Sequence, residues 1–126
     1  MKNLYTYRAT VTAVQDGDTF SVNIDLGLKT WRLGENIRVL GINSIELADP
    51  GGKEARHNLA QLLPVGTAVT IRTVKADKYG TRYNAAVTLP DGADLATLLL
   101  AAGWAAPYTG RGPKVAPGWP RLMPPV

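Results

Sequence analysis

A mainly β (α+β) fold is what this 126-residue sequence predicts, with five strands closed into a small barrel and two helices attached. Three observations predict it. Apolar residues alternate with polar ones in several separate runs; two other stretches repeat apolar residues at the spacing of a helix face; and turn formers such as Asp16-Gly17 and Pro90-Asp91-Gly92 stand between runs. With 45% hydrophobic residues, the chain has the length and the apolar content of one domain with one core.

Tyr5, Tyr7, Ala9, Val11 and Ala13 alternate with Thr6, Arg8, Thr10 and Thr12, and Phe20, Val22, Ile24 and Leu26 alternate with Ser21, Asn23 and Asp25. These are two half-buried strands. QDGD joins them, and its glycine tolerates the positive φ that short hairpin turns favour. LKTWRLGEN after Gly27 reads as a strand extension with a turn near Gly34, leading into a third strand from Ile37 to Ile42. Residues 53 to 63 place Ala55, Leu59, Leu62 and Leu63 on one helical face, which Pro64 stops, and leave His57 off it. Strands four and five follow around Val69 and Ile71, and around Tyr83, Ala85, Val87 and Leu89. Leu95, Leu98, Leu99 and Ala102 form a second helical stripe, capped by Asp94 and closed at Gly103. Trp31 and Trp104 read as core or barrel cover.

The resulting order, βββαββα, has one helix between strands three and four and one C-terminal helix. It suits a five-stranded barrel of OB type, because closure removes exposed strand edges. The expected domain spans residues 1–108. Residues 109–126, TGRGPKVAPGWPRLMPPV, are too rich in Pro and Gly for a helix or a central strand and read as an extended tail.

The absence of cysteine excludes disulfides and thiolate metal sites, and a single histidine excludes most zinc chemistry. A bound metal would therefore take oxygen ligands, which points to calcium or magnesium. The net charge of +4 comes largely from Arg111, Lys114 and Arg121, which leave eleven bases against ten acids in residues 1–108. A basic tail on a near-neutral body suits an anionic partner such as nucleic acid. No run approaches the length of a membrane span and the first residues alternate like a strand, so the expectation is a cytoplasmic monomer.

Two positions fit no plain structural pattern. Asp18 has the core-side parity of Phe20, Val22 and Ile24, and Arg38 has the parity of Leu40 and Ile42. An inward charge near a barrel end needs a partner or a ligand. On its own, DGDT is an ordinary hairpin turn, and Arg38 with Glu46 could be a structural ion pair.

Together, DGDTF (16–20), IRVLGINSIE (37–46) and DKYGTRYNAAV (77–87), with GKEA and DGADL between and after them, resemble the staphylococcal nuclease (thermonuclease) family in order and spacing. The resemblance covers roughly residues 5–108. It implies an OB-type barrel that hydrolyses DNA and RNA phosphodiesters with calcium and little base specificity. Carried over residue by residue, Asp18, Asn43 and Ser44 would bind the metal; Arg38 and Arg82 would grip the phosphate; and Glu46 would position or deprotonate the attacking water. Lys78 and Tyr79 would touch phosphate beside the site, and Tyr108 would lie near the nucleotide. Such roles suit the reaction, which builds charge on the non-bridging oxygens and needs cations there and an acceptor beside the water. The chain departs from the family pattern at Asn43, where the family has aspartate; at Ser44, for threonine; at Ile45, for proline; and at Thr81, which moves the second arginine to position 82. These departures sustain a rival expectation, an OB barrel that binds nucleic acid or a protein without cutting.

Overall fold

The computed structural model describes residues 5–76 and 82–108, apart from the side chains of Lys75 and Ala76. β1 (Thr6–Val14), β2 (Thr19–Asp25) and β3 (Trp31–Val39) form an antiparallel meander. β4 (Ile42–Ser44), α1 (Gly52–Leu62), β5 (Ala68–Ala76), β6 (Tyr83–Thr88), α2 (Leu95–Ala101) and β7 (Ala105–Pro107) follow. The closed barrel runs β1-β2-β3-β6-β5, while β4 and β7 pair separately as a two-stranded sheet. Its closing seam is parallel, with Ile37, Arg38 and Val39 beside Tyr83, Asn84 and Ala85.

Alternation explains the core. Val11 faces Val22 and Phe20 faces Ile37 across the ladders, and all four are buried together with Val39, Ile71 and Val87. Fully burying each such side chain contributes roughly 1.5–3 kcal/mol. α1 closes over the barrel with Ala55, Leu59 and the following Leu63, and α2 with Leu95 and Leu99. Asp94 caps α2 by accepting from the Thr97 backbone N–H at 3.1 Å and from its hydroxyl at 2.8 Å.

Four local expectations give way. The single strand expected over Ile37–Ile42 is two: β3 ends at Val39, Gly41 turns the chain at φ 84°, and β4 joins β7 instead of the barrel. β3 also starts earlier, at Trp31, and runs through Gly34, because a bulge between the Val22 and Ile24 pairings absorbs that glycine without a turn. Arg38 consequently lies on the face opposite Ile37 and Val39, so it leans over the barrel mouth and not into the core. Trp31 is no core residue; it stands 47% exposed at the β2–β3 hairpin.

Candidate active site at the barrel mouth

The turn before β2 builds the first wall. The Asp18 backbone N–H donates to Asp16 Oδ1 at 3.0 Å, and the N–H groups of Gln15 and Asp16 donate to the Thr19 carbonyl. Both carboxylates therefore project from one tight turn. Gly17 between them is obligatory, for a Cβ there would collide with the Ser44 hydroxyl and lie 2.9 Å from the Ala55 Cβ.

Asp18 is the hub. Its Oδ1 accepts from the Thr19 hydroxyl at 3.0 Å, its Oδ2 accepts from the Ser44 backbone N–H at 3.1 Å, and its carbonyl accepts from the Val39 N–H at 2.9 Å. Arg38 Nη2 lies 3.5 Å from the same Oδ2 and donates to Asn43 Oδ1 at 3.1 Å. The two charged side chains are only 12% and 9% exposed, so water screens their attraction weakly. Tyr108 covers the guanidinium with its ring centroid 5.7 Å from Arg38 Cζ, and its own N–H donates to the Gly41 carbonyl. The Ser44 hydroxyl donates to the Trp104 carbonyl at 3.0 Å.

Asp16, Asp18, Arg38, Ser44, Ile45, Glu46 and Arg82 line a polar cavity of about 30 Å³. One water needs roughly 10–15 Å³ of such volume, so the space suits an ion with a water or one phosphate oxygen, not a whole nucleotide. Five of the residues singled out from the sequence meet here, from segments separated by up to 64 positions. Arg82 reaches the cavity from just before β6, where β5 carries a bulge between Thr73 and Lys75. Asn43 is buried in β4, but its amide oxygen serves Arg38. Tyr108 is placed against Arg38. Lys78 and Tyr79, the Thr81 insertion and the tail lie outside the described residues.

Asp16 is the cavity residue that sequence reasoning missed. Its signal was the repeated acid in DGD, read as turn chemistry alone. Burial, then the neighbouring Asp18 charge, pushes the Asp16 carboxyl up to about 7. Two carboxylates this close would gain from a shared positive charge.

Among the described residues no group of three or more His, Cys, Asp or Glu side chains is arranged to hold a metal ion. The donors at the cavity are nonetheless hard oxygens. Asp16 and Asp18 give the cavity two carboxylates, donors of the kind a hard divalent cation takes. Of the expected set, Asp18 accepts from the Thr19 hydroxyl and the Ser44 N–H, and the Asn43 oxygen accepts from Arg38.

No family model matches this chain, and no curated protein does. None of the described helices is long and apolar enough to cross a membrane.

Proposed function

We propose that the protein is a metal-dependent phosphodiesterase acting on DNA, RNA or both, built on an OB-type barrel resembling that of the staphylococcal nuclease family. The observation that carries this reading is the convergence of two carboxylates, two arginines and Glu46 on one small polar cavity. A structural ion pair needs only one partner for each charge, whereas this set matches what a phosphodiester under attack requires.

A calcium or magnesium ion, when bound, polarises the phosphate; Asp18 and Asp16 are the residues that would hold it. Glu46 orients the attacking water and accepts its proton. Arg38 and Arg82 bond the non-bridging oxygens, whose negative charge grows as phosphorus becomes five-coordinate, and the planar guanidinium can bond two of them at once. Tyr108 and Asn43 hold Arg38 in place. These contacts go to the backbone, so base identity matters little.

Incubating labelled single- and double-stranded DNA and RNA with the protein in calcium, magnesium or chelator, beside Glu46→Gln, tests the reading. Metal-dependent cutting that Glu46→Gln abolishes is the expected result. Binding without cutting in every metal would replace it with the rival, a nucleic-acid-binding or protein-binding barrel. One observation favours that rival: Arg38 is already satisfied by Asp18 and Asn43, as a purely structural charge cluster would be.

A further inference from the structure

On the outer face of the barrel, just below the mouth, the side chains of Gln15, Ser21 and Asn36 bond one another. Gln15 Nε2 donates to Ser21 Oγ and, at 3.2 Å, to Asn36 Oδ1, and Ser21 Oγ donates to the same Asn36 oxygen at 2.8 Å. Ser21 stands between the core residues Phe20 and Val22, so it faces outward, yet it is only 9% exposed. Gln15 lies across it and reaches from the end of β1, over β2, to β3. Each member of this triangle stands beside a residue of the mouth. Gln15 immediately precedes Asp16, and Ser21 with Asn36 is the cross-strand pair on the same face as Thr19 with Arg38, two residues along each strand. Farther from the mouth the ladders are irregular on both sides, with register shifts between Val11 and Ala13 in β1–β2 and between Val22 and Ile24 in β2–β3. Such shifts bend and twist the strands locally, so the strand ends above them need a hold of their own.

We propose that Gln15, acting through Ser21 and Asn36, is a positioning residue that sets the separation between the Asp16–Asp18 turn and Arg38. The inference deepens the phosphodiesterase reading and rests on it. Gln15 acts through the backbone. The strand ends that it ties together are those from which both carboxylates and the guanidinium project, and its own N–H shares the Thr19 carbonyl with that of Asp16. The cavity has little tolerance for a shift of those ends. It holds about 30 Å³, and Arg38 Nη2 stands 3.5 Å from Asp18 Oδ2 within its wall. A misplacement on the order of 1 Å in such a site can cost roughly 10²-fold in rate. Gln15 is itself exposed and belongs to no part of the core, so what it contributes by tying three strands together is geometry more than burial.

Gln15→Met keeps the length of the side chain and removes its donors, at an exposed position where the fold should survive the change. Calcium binding to this variant, followed by titration calorimetry, should weaken by about 10–100-fold, the usual result of losing a group that orients metal-binding residues. At saturating calcium, kcat on labelled single-stranded DNA should fall by a similar factor with KM unchanged. Ser21→Ala should do the same, and the two changes together should cost no more than either alone, because they break one tie. Ser21→Thr keeps the hydroxyl and should retain wild-type affinity and kcat. A lower melting temperature in Gln15→Met with calcium affinity and kcat unchanged would make the triangle a hold for the fold alone and overturn the inference, as would additive losses in the double variant. Calcium affinity is read without cutting, so the two readings can fail separately. If wild type binds calcium and Gln15→Met weakens it, but neither cuts nucleic acid, the tie stands and the phosphodiesterase reading falls. A wild type that neither binds calcium nor cuts overturns both.

Discussion

β2 and β3 carry opposite chemistry at their two ends. Where β2 begins and β3 ends, Asp18 and Arg38 are nearly buried and bonded to Thr19, Asn43 and Ser44, while Glu46 and Arg82 join them around one cavity. At the other end, residues 26–34 are exposed throughout, with Leu28 at 99% and Leu33 at 72%. The hydrogen bonds there run within the hairpin: Leu26 N–H to the Thr30 carbonyl, Arg32 to Glu35, and Gly34 N–H to Asn23 Oδ1. One end is held by an ion pair and by hydrogen bonds to β4, the other by local pairing. Substitutions at the mouth should therefore alter chemistry, and those at the hairpin should alter little besides local backbone strain.

The sharpest break should come at Glu46. Glu46→Gln is expected to lower the cutting rate by roughly 10²–10⁴-fold, the usual worth of a positioned general base, with an unchanged circular dichroism spectrum. A rate within a few-fold of wild type removes Glu46 from the chemistry. Arg38→Ala and Arg82→Ala should each cost about 10²–10³-fold in kcat, as lost electrostatic donors do. If only Arg38→Ala does so, Arg82 is a bystander at the cavity wall.

Gly17→Ala comes next, and it tests packing at the mouth. The added methyl must displace Ser44 or α1, which should cost about 1–3 kcal/mol in urea denaturation, as overpacking does, and reduce activity as well. Wild-type stability would mean the turn moves freely.

Asp16 gives a smaller, pH-dependent effect. Its folded value of about 7 lies above the 3.8 of an unperturbed group. Between these values the folded state holds a proton that the unfolded chain has released, so stability falls as pH rises through this window. In chelator, wild-type melting temperature should decline from pH 4 to pH 7, and Asp16→Asn should flatten that decline. Parallel profiles would show that Asp16 titrates normally.

The smallest change is expected at the hairpin. Leu28 adopts φ 55° at full exposure, a conformation that glycine takes without a Cβ penalty. Leu28→Gly should leave activity unchanged and stabilise by about 1 kcal/mol or less. A loss of activity would tie this end of the molecule to the mouth and undo the contrast.

Much of the architecture was legible because period-two alternation leaves a strand one way to bury its apolar side. Phe20, Val22 and Ile24 therefore fell inside, and Ala55, Leu59, Leu95 and Leu99 followed from helical spacing. Asp18 was legible for the same reason, as a charge on a core-facing parity that turned out to be buried at the mouth. Arg38 was misread because the turn at Gly41 resets parity, so Ile42 gives no guide to the face that β3 presents. β7 was missed because three residues, Ala105–Pro107, carry no period of their own and form a strand only by pairing with β4.

Local order along the chain determined which residues turn, alternate and cap, since φ preferences and apolar spacing act over a few positions. Tertiary structure alone decided that Arg82 and Asp18 line one cavity at the barrel mouth, that the Asn43 oxygen serves an arginine, and that burial raises the Asp16 carboxyl. Those outcomes depend on which distant groups share a space of about 30 Å³, and the electrostatics of such a space follow from burial and separation, which no stretch of sequence contains.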